Sequence, residues 1–185
     1  MIVAALLTTG LAPRTATAAS NGEQIFPAGT REFALAGAHG WNHDIPSGNR
    51  TDVKFDGLVF KYGRFAASTR EVTVEVGGCH VSTQRGDANG IGASLLIRRY
   101  IVHKRPIAVF CEAGGGIEYM GLILPELPLR FNTTLQAGVG VNLFSSDRAA
   151  LTLTYRFHHV SNGGRKRPNV GLNSSMLLLG TSKFF

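Results

Sequence analysis

The sequence predicts an all-β fold, a small antiparallel transmembrane β-barrel of about eight strands. From Thr30 onward, segments of about ten residues alternate apolar residues with small or polar ones and end in turn signals, as barrel walls do. The 23 glycines lack the strict period of collagen and suit tight turns and close backbone contacts. No internal stretch approaches the roughly 20 uncharged apolar residues of a membrane-spanning helix, which excludes a helical membrane protein.

The first residues are expected to be a secretory signal peptide. Residues 1–19 contain a short apolar run, a break at Pro13 and Arg14, and the A-x-A pattern of residues 16–18. Because no Lys or Arg precedes the apolar run, we expect this segment to be truncated at its start. The run is too short and too interrupted for a membrane anchor. The remaining residues, 20–185, are expected to form one outer-membrane barrel domain.

Eight segments carry the alternation that predicts strands. The clearest is 131–144, where Phe131, Leu135 and Val139 share one face while the other carries Asn, Thr, Gln and Gly. One face suits lipid and the other suits a polar lumen. Carboxylates such as Glu75 fall on the polar side. The predicted strands lie near residues 30–38, 52–62, 70–80, 91–102, 106–119, 131–144, 148–160 and 175–185.

Alternation alone does not separate a barrel from a soluble β-sandwich, whose charged face would point to water. Small residues crowd the polar face at Gly114, Gly116, Gly138 and Gly140, which favours a narrow, filled lumen. Residues 182–185, Ser-Lys-Phe-Phe, resemble the aromatic C-terminus by which outer-membrane barrels are recognised for assembly. These features favour the barrel and predict the outer membrane of a Gram-negative bacterium as its location.

The connections between predicted strands differ in length. Tight links are expected at 103–105 and 145–147, whereas the long ones cover residues 39–51, 119–130 and 161–174. In outer-membrane barrels, short turns face the periplasm and long loops face outward. The strand ending at Val160 therefore runs outward, and residues 157–161 are expected near the outer leaflet.

The charge balance indicates which partners the chain can meet. The formal net charge is +7, or about +6 once Arg14 is removed with the signal. Nucleic acid is the usual partner of such a balance, but an exported protein meets little of it, so we predict no nucleic-acid partner. The anionic surfaces it does meet are lipopolysaccharide phosphates and the membrane.

Other reactive side chains form no recognisable site. Cys79 and Cys111 fall on opposite faces of different predicted strands, so we predict no disulfide. We predict no metal site, because the scattered histidines lack ligand spacing. Those histidines are His39, His43, His80 and His103.

A candidate catalytic pair lies at the outer end of the seventh predicted strand. Residues two apart in a strand share a face, so His159 and Ser161 lie side by side, where an imidazole can activate a hydroxyl. Their face continues through Tyr155 on the lipid side. Polar residues are also ordinary at headgroup level, so spacing alone leaves a structural role open. His158 lies on the other face with Arg156, where a hydrogen-bonding role in the lumen is expected.

The sequence FHHVSNGG at 157–164, followed by PNVGLNS at 168–174 and a closing apolar strand, resembles the outer-membrane lipid A 3-O-deacylase family, the PagL-like acyloxyacyl hydrolases. The match is strongest over residues 155–180. Elsewhere the agreement is architectural and rests on strand count and glycine-rich segments. The resemblance implies a serine esterase that removes an ester-linked 3-hydroxyacyl chain from lipid A of lipopolysaccharide, with no cofactor.

The resemblance also implies a role for each site residue. His159 corresponds to the general base and Ser161 to the nucleophile, while donors near Asn162 and Gly163 would hold the oxyanion. Active family members orient the histidine with a glutamate, and the matching position here is Asn173. An amide can orient an imidazole but cannot neutralise the imidazolium. The alternative is a non-catalytic barrel that binds lipopolysaccharide or stiffens the membrane and has lost the acidic triad member.

A basic run follows the motif, at Arg165, Lys166 and Arg167. At the outer rim these side chains would bind the phosphates of lipid A, although a solvated basic loop is an equally open interpretation. The implied partners are lipid A or lipopolysaccharide within the membrane, with a homodimer left open. A pore is disfavoured because so few strands leave an interior filled by side chains.

Overall fold

In a computed structural model that describes residues 26–43 and 51–185, eight antiparallel strands form a closed barrel in which β1 also pairs with β8. The strands are β1 (Arg31–Asn42), β2 (Val53–Ala67), β3 (Arg70–Thr83), β4 (Gly86–Lys104), β5 (Ile107–Met120), β6 (Phe131–Ser146), β7 (Ala149–Ser161) and β8 (Leu172–Phe184). The predicted fold class and strand number are confirmed. The signal-peptide prediction for residues 1–19 lies outside the described residues. No helix in the described part of the chain is long and apolar enough to cross a bilayer.

The two faces of the strands have opposite chemistry. Large apolar side chains point outward and remain exposed, for example Leu58, Ile101 and Leu135, with exposed fractions of 62%, 65% and 66%. The buried inward side chains include most of the Glu and Thr residues of the wall. A soluble sandwich has the reverse arrangement, so an apolar exterior around a polar interior is the signature of a barrel in lipid.

Two arginines organise the polar lumen. Arg156 donates hydrogen bonds to Glu75 at 2.7 and 3.0 Å and to Glu112 at 2.6 and 2.9 Å. Arg98 donates to Glu112 at 2.9 and 3.1 Å, and it also contacts Glu32, whose carboxylate is paired with Lys61 at 2.8 Å. These side chains fill the middle of the lumen, as expected for a barrel of only eight strands.

Apolar clusters lie inside the barrel at both ends. At the end of the barrel where β1 begins and β8 ends, the cluster is Phe26, Phe65, Tyr100, Ala108, Phe110, Ala150 and Phe184. At the opposite end it is Val53, Val81, Met120, Leu124, Leu127, Val160 and Leu172. The second cluster includes inward-facing residues at the ends of β7 and β8. Because these residues point inward, the residues next to them in the same strands must point outward.

The two ends of the barrel differ in their connections. The turn end has the two-residue links 68–69, 105–106 and 147–148, whereas the loop end has the long connections 43–52, 121–130 and 162–171. In outer-membrane barrels the turn end faces the periplasm and the loop end faces outward. The loop end also has one short link, at 84–85, because β3 and β4 continue beyond the predicted strand limits.

Candidate active site

His159 and Ser161 lie on the outward face of β7 at the loop end, and both are half-buried. Val160 between them points into the loop-end cluster, which turns its two neighbours toward the lipid. Leu135 on β6 and Asn173 on β8 are the register partners of His159. The site is therefore a shallow patch on the barrel wall rather than a pocket in the lumen.

Asn173 orients the imidazole of His159. Its Oδ1 lies 2.7 Å from Nδ1 of His159. An amide oxygen can only accept a hydrogen bond, so Nδ1 must carry the proton. This leaves Nε2 of the neutral ring with a free lone pair that can accept a proton. The backbone of Asn173 is held in turn, because its carbonyl accepts a hydrogen bond of 2.8 Å from the N–H of His43.

Gly171 packs against the other side of the imidazole. A Cβ atom at this position would lie 2.8 Å from Cε1 of His159 and 2.9 Å from the carbonyl oxygen of Val160. The residue also has φ of +75°, a conformation that favours glycine. Gly171 therefore lets the β7–β8 loop return close beside the ring and restrict its movement.

Asn162, next to the serine, is fully buried and most of its polar groups are already bonded. Its backbone N–H donates to Oδ1 of Asn169 at 2.9 Å, and its Nδ2 donates to the carbonyl of Lys166 at 2.6 Å. Gly163 and Gly164 follow with φ of +66° and +76°. Among the described residues, no hydrogen bond uses the N–H of Gly163. Of the two predicted oxyanion residues, Gly163 thus has the available backbone donor.

The predicted basic run divides into two parts. The guanidinium of Arg165 donates to the carbonyl of Asn162 at 2.8 Å and to that of Phe131, and it lies 5.3 Å from the centre of the Phe131 ring. It therefore braces the β7–β8 loop against β6. Lys166 and Arg167 are exposed and, within the described ranges, form no ion pair.

A second hydroxyl–imidazole pair lies on the same outward face and is not predictable from the sequence. The Oγ of Ser175 is 2.9 Å from Nε2 of His43 and 2.6 Å from the hydroxyl of Tyr155. The ring of His43 lies parallel to that of Phe157, 6.5 Å away. Ser175 is only 1% exposed, so it lies behind these rings and away from the lipid. His43 and Ser175 are 132 residues apart, and no local pattern predicts their contact.

The two residues of the candidate pair are not hydrogen-bonded to each other. Within residues 26–43 and 51–185, no hydrogen bond joins His159 to Ser161, and hydrogen bonds of this kind often form only when a substrate binds. His158 faces the lumen, where its Nε2 lies 3.7 Å from a carboxylate oxygen of Glu118. Within the same ranges, no cluster of three or more His, Cys, Asp or Glu side chains could hold a metal ion.

Comparison with known proteins gives both a family and a fold. A family model described as lipid A 3-O-deacylase (PagL) matches residues 40–182. A comparison with curated protein sequences found no match. The crystal structure of the outer membrane enzyme PagL is similar with a TM-score of 0.56 and 17% identity, covering 80% of this chain and 97% of that chain.

Two further solved structures share the fold. OprG, an outer membrane protein from Pseudomonas aeruginosa, has a TM-score of 0.59 and 11% identity, covering 88% of this chain and 98% of that chain. Neisserial surface protein A (NspA) has a TM-score of 0.63 and 13% identity, covering 84% of this chain and 96% of that chain. At these identities the structural likenesses show the outer-membrane barrel fold, whereas the match over residues 40–182 shows the family.

Proposed function

Since this chain belongs to the lipid A 3-O-deacylase (PagL) family, we propose that it is a serine esterase that removes an ester-linked 3-hydroxyacyl chain from lipid A in the outer membrane. One observation carries the proposal for this particular chain: His159, its Nδ1 bonded to Asn173, shares an outward face with Ser161 at lipid level. A substrate that remains in the membrane can reach such a patch from the side.

The reaction follows from the tautomer that Asn173 selects. Nε2 of His159 takes the proton of Ser161 as Oγ bonds to the ester carbonyl carbon. The tetrahedral intermediate collapses when the bond to the lipid A oxygen breaks, and that oxygen receives the proton from His159. A water molecule, deprotonated by the same nitrogen, then attacks the acyl-serine. This second step releases the 3-hydroxy fatty acid and restores Ser161.

The negative charge on the carbonyl oxygen requires a donor near Ser161. Among the described residues, the N–H of Gly163 makes no hydrogen bond and is available as this donor, and the hydrogen bonds of Asn162 hold the glycine turn in place. In this proposal Asn162 acts by positioning the turn, whereas Gly163 binds the oxyanion. The exposed side chains of Lys166 and Arg167 are available for the lipid A phosphates, while Arg165 supports the loop.

A second candidate function is a lipopolysaccharide-binding or structural barrel without catalysis. The observation that favours it is Asn173, because an amide orients His159 but supplies no charge to stabilise the imidazolium. In the serine triad, replacing the carboxylate by an amide lowers the rate by about 10⁴. The two functions differ in whether Ser161 is a nucleophile.

Labelling with a fluorophosphonate tests that difference. An activated serine Oγ attacks phosphorus and displaces fluoride, leaving a covalent adduct that peptide mass spectrometry locates. We expect the adduct on Ser161 and its loss in Ser161→Ala and His159→Ala. Ser175→Ala is the matched control, because Ser175 also contacts an imidazole but is buried, and this variant should label like the wild type. A folded wild-type barrel that takes no label on Ser161 would favour the non-catalytic function.

A further inference from the structure

Four arginines form a continuous row on the outer face of the barrel at the turn end. Arg31 of β1 lies directly opposite Arg64 of β2, and Arg70 of β3 lies directly opposite Arg99 of β4. Because Arg64 is in register with Val72, Arg70 lies diagonally next to Arg64 and joins the two pairs. All four side chains are exposed. We call these four residues the arginine row.

The arginine row has no counterion within the described part of the chain. Like charges directly opposite each other on neighbouring strands repel and destabilise a sheet. The carboxylates closest in sequence, Glu32 and Glu71, point into the lumen, where they contact Lys61, Arg98 and Tyr100. Among the described residues, no hydrogen bond or ion pair engages any guanidinium of the row. An external anion would remove the repulsion.

The row lies at the border of the apolar band. On each of the four strands, the outward residue one step nearer the barrel centre is exposed and apolar or aromatic: Phe33, Tyr62, Val72 and Ile97. Phe33 also packs against Tyr62 and Phe185, with ring centres 5.1 and 5.7 Å apart. Exposed aromatic rings of this kind mark the membrane interface. The guanidinium groups therefore lie at headgroup level in the periplasmic leaflet.

The rest of the turn end reinforces the positive charge. Four more exposed cations lie there, namely Lys104, Arg105, Arg148 and Lys183. Among the described residues, the exposed carboxylate side chain at this end is that of Asp147, which Arg105 neutralises at 2.7 Å. The whole rim thus presents positive charge to the leaflet.

We propose that the arginine row is a binding site for anionic phospholipid headgroups of the periplasmic leaflet. Guanidinium groups bind the oxygens of a phosphate diester with paired hydrogen bonds, and neighbouring arginines can share one phosphate. The bound lipid separates the opposed cations and holds the barrel at a fixed depth. This site is at the other end of the barrel from His159 and Ser161, so it is independent of the esterase proposal.

Native mass spectrometry of the refolded barrel in detergent tests the proposal, with phosphatidylglycerol and phosphatidylcholine of identical chains as probes. Each cation near an anionic surface contributes a factor of about five, so we expect wild type to bind phosphatidylglycerol at least about tenfold more tightly than phosphatidylcholine. The triple variant Arg64→Gln, Arg70→Gln, Arg99→Gln should lose this preference. The control Lys54→Gln, Arg85→Gln, Arg130→Gln removes equal charge at the loop end and should keep it.

Three results would overturn the proposal. The triple variant could keep the preference, the loop-end control could lose it equally, or millimolar inorganic phosphate could abolish it, which would indicate a site for the free ion. Heat-modifiable migration on gels checks that each variant is folded. If the triple variant does not refold, Arg64→Gln with Arg99→Gln, against Lys54→Gln with Arg85→Gln, makes the same comparison.

Discussion

Asn173 is the residue on which the chemistry of this site depends most. Its Oδ1 accepts from Nδ1 of His159 at 2.7 Å, so the imidazole has the orientation and the tautomer that a base requires. In the proposed reaction, however, the amide supplies no charge opposite the imidazolium that would form when Ser161 loses its proton. The proposed esterase therefore has an oriented histidine without the carboxylate that stabilises the transition state.

Restoring the carboxylate should therefore raise the rate. We expect Asn173→Glu to increase the rate of lipid A deacylation at least about tenfold. In the serine triad, the corresponding carboxylate contributes a rate factor of about 10⁴. Initial rates in detergent micelles measure the effect. Asn173→Ala should lower the rate, because it removes the orienting bond as well. An unchanged rate in both variants would show that Asn173 does not act through His159.

The contact between Gly171 and the His159 ring offers a second test at this scale. We expect Gly171→Ala to lower activity by a factor on the order of ten to a hundred, because the new methyl group would lie 2.8 Å from Cε1 and displace the imidazole. The control is Gly29→Ala at the turn end, which also has positive φ, +92°, but open space around its Cβ. Equal losses in two folded variants would contradict a positioning role for Gly171.

Part of this site is predictable from the sequence. The outward placement of His159 and Ser161 follows from strict alternation in β7, and the matching of Asn173 follows from the family motif. The brace formed by Arg165 and the contact of Ser175 with His43 are not predictable in this way. The first depends on how a ten-residue loop folds, and the second joins opposite ends of the chain. Neither leaves a periodic signal.

At the scale of strands, alternation predicts the membrane-embedded part better than the ends. The apolar alternation predicts that the fourth strand begins near residue 91, but β4 begins at Gly86. Its first outward side chains, Asp87 and Asn89, are polar and exposed, because the β3–β4 hairpin extends beyond the apolar band. The hydrogen-bonded ladder continues into water, whereas the apolar signal stops at the lipid boundary.

The strands are also coupled through the lumen by Arg156. We expect Arg156→Met to lower the free energy of unfolding by about 3–5 kcal/mol, because it leaves the buried Glu75 without its counterion and removes one of the two arginines that pair with Glu112. Denaturant unfolding of the barrel in lipid vesicles measures this change. Lys54→Gln, which removes an exposed cation outside the lumen, should cost well under about 1 kcal/mol. A small effect of Arg156→Met would mean that the lumen network does not hold the strands together.

On the scale of the whole molecule, the barrel separates two charged ends by an apolar band. Closure of β1 on β8 follows from the number of strands and their lengths, so the global fold was predictable once the segments were counted. The loop end carries the candidate site facing the outer leaflet, and the turn end carries the arginine row facing the inner one. The arginine row depends on strand register, which the sequence alone did not provide.

The most direct test of the central claim is mass spectrometry of lipid A after incubation with the refolded protein in detergent. We expect wild type and Ser175→Ala to release one 3-hydroxy fatty acid and leave lipid A lighter by that chain, while Ser161→Ala leaves lipid A intact. The opposite result is unchanged lipid A with wild type and with Asn173→Glu, although both are folded. That result would contradict the esterase and leave a lipopolysaccharide-binding or structural barrel.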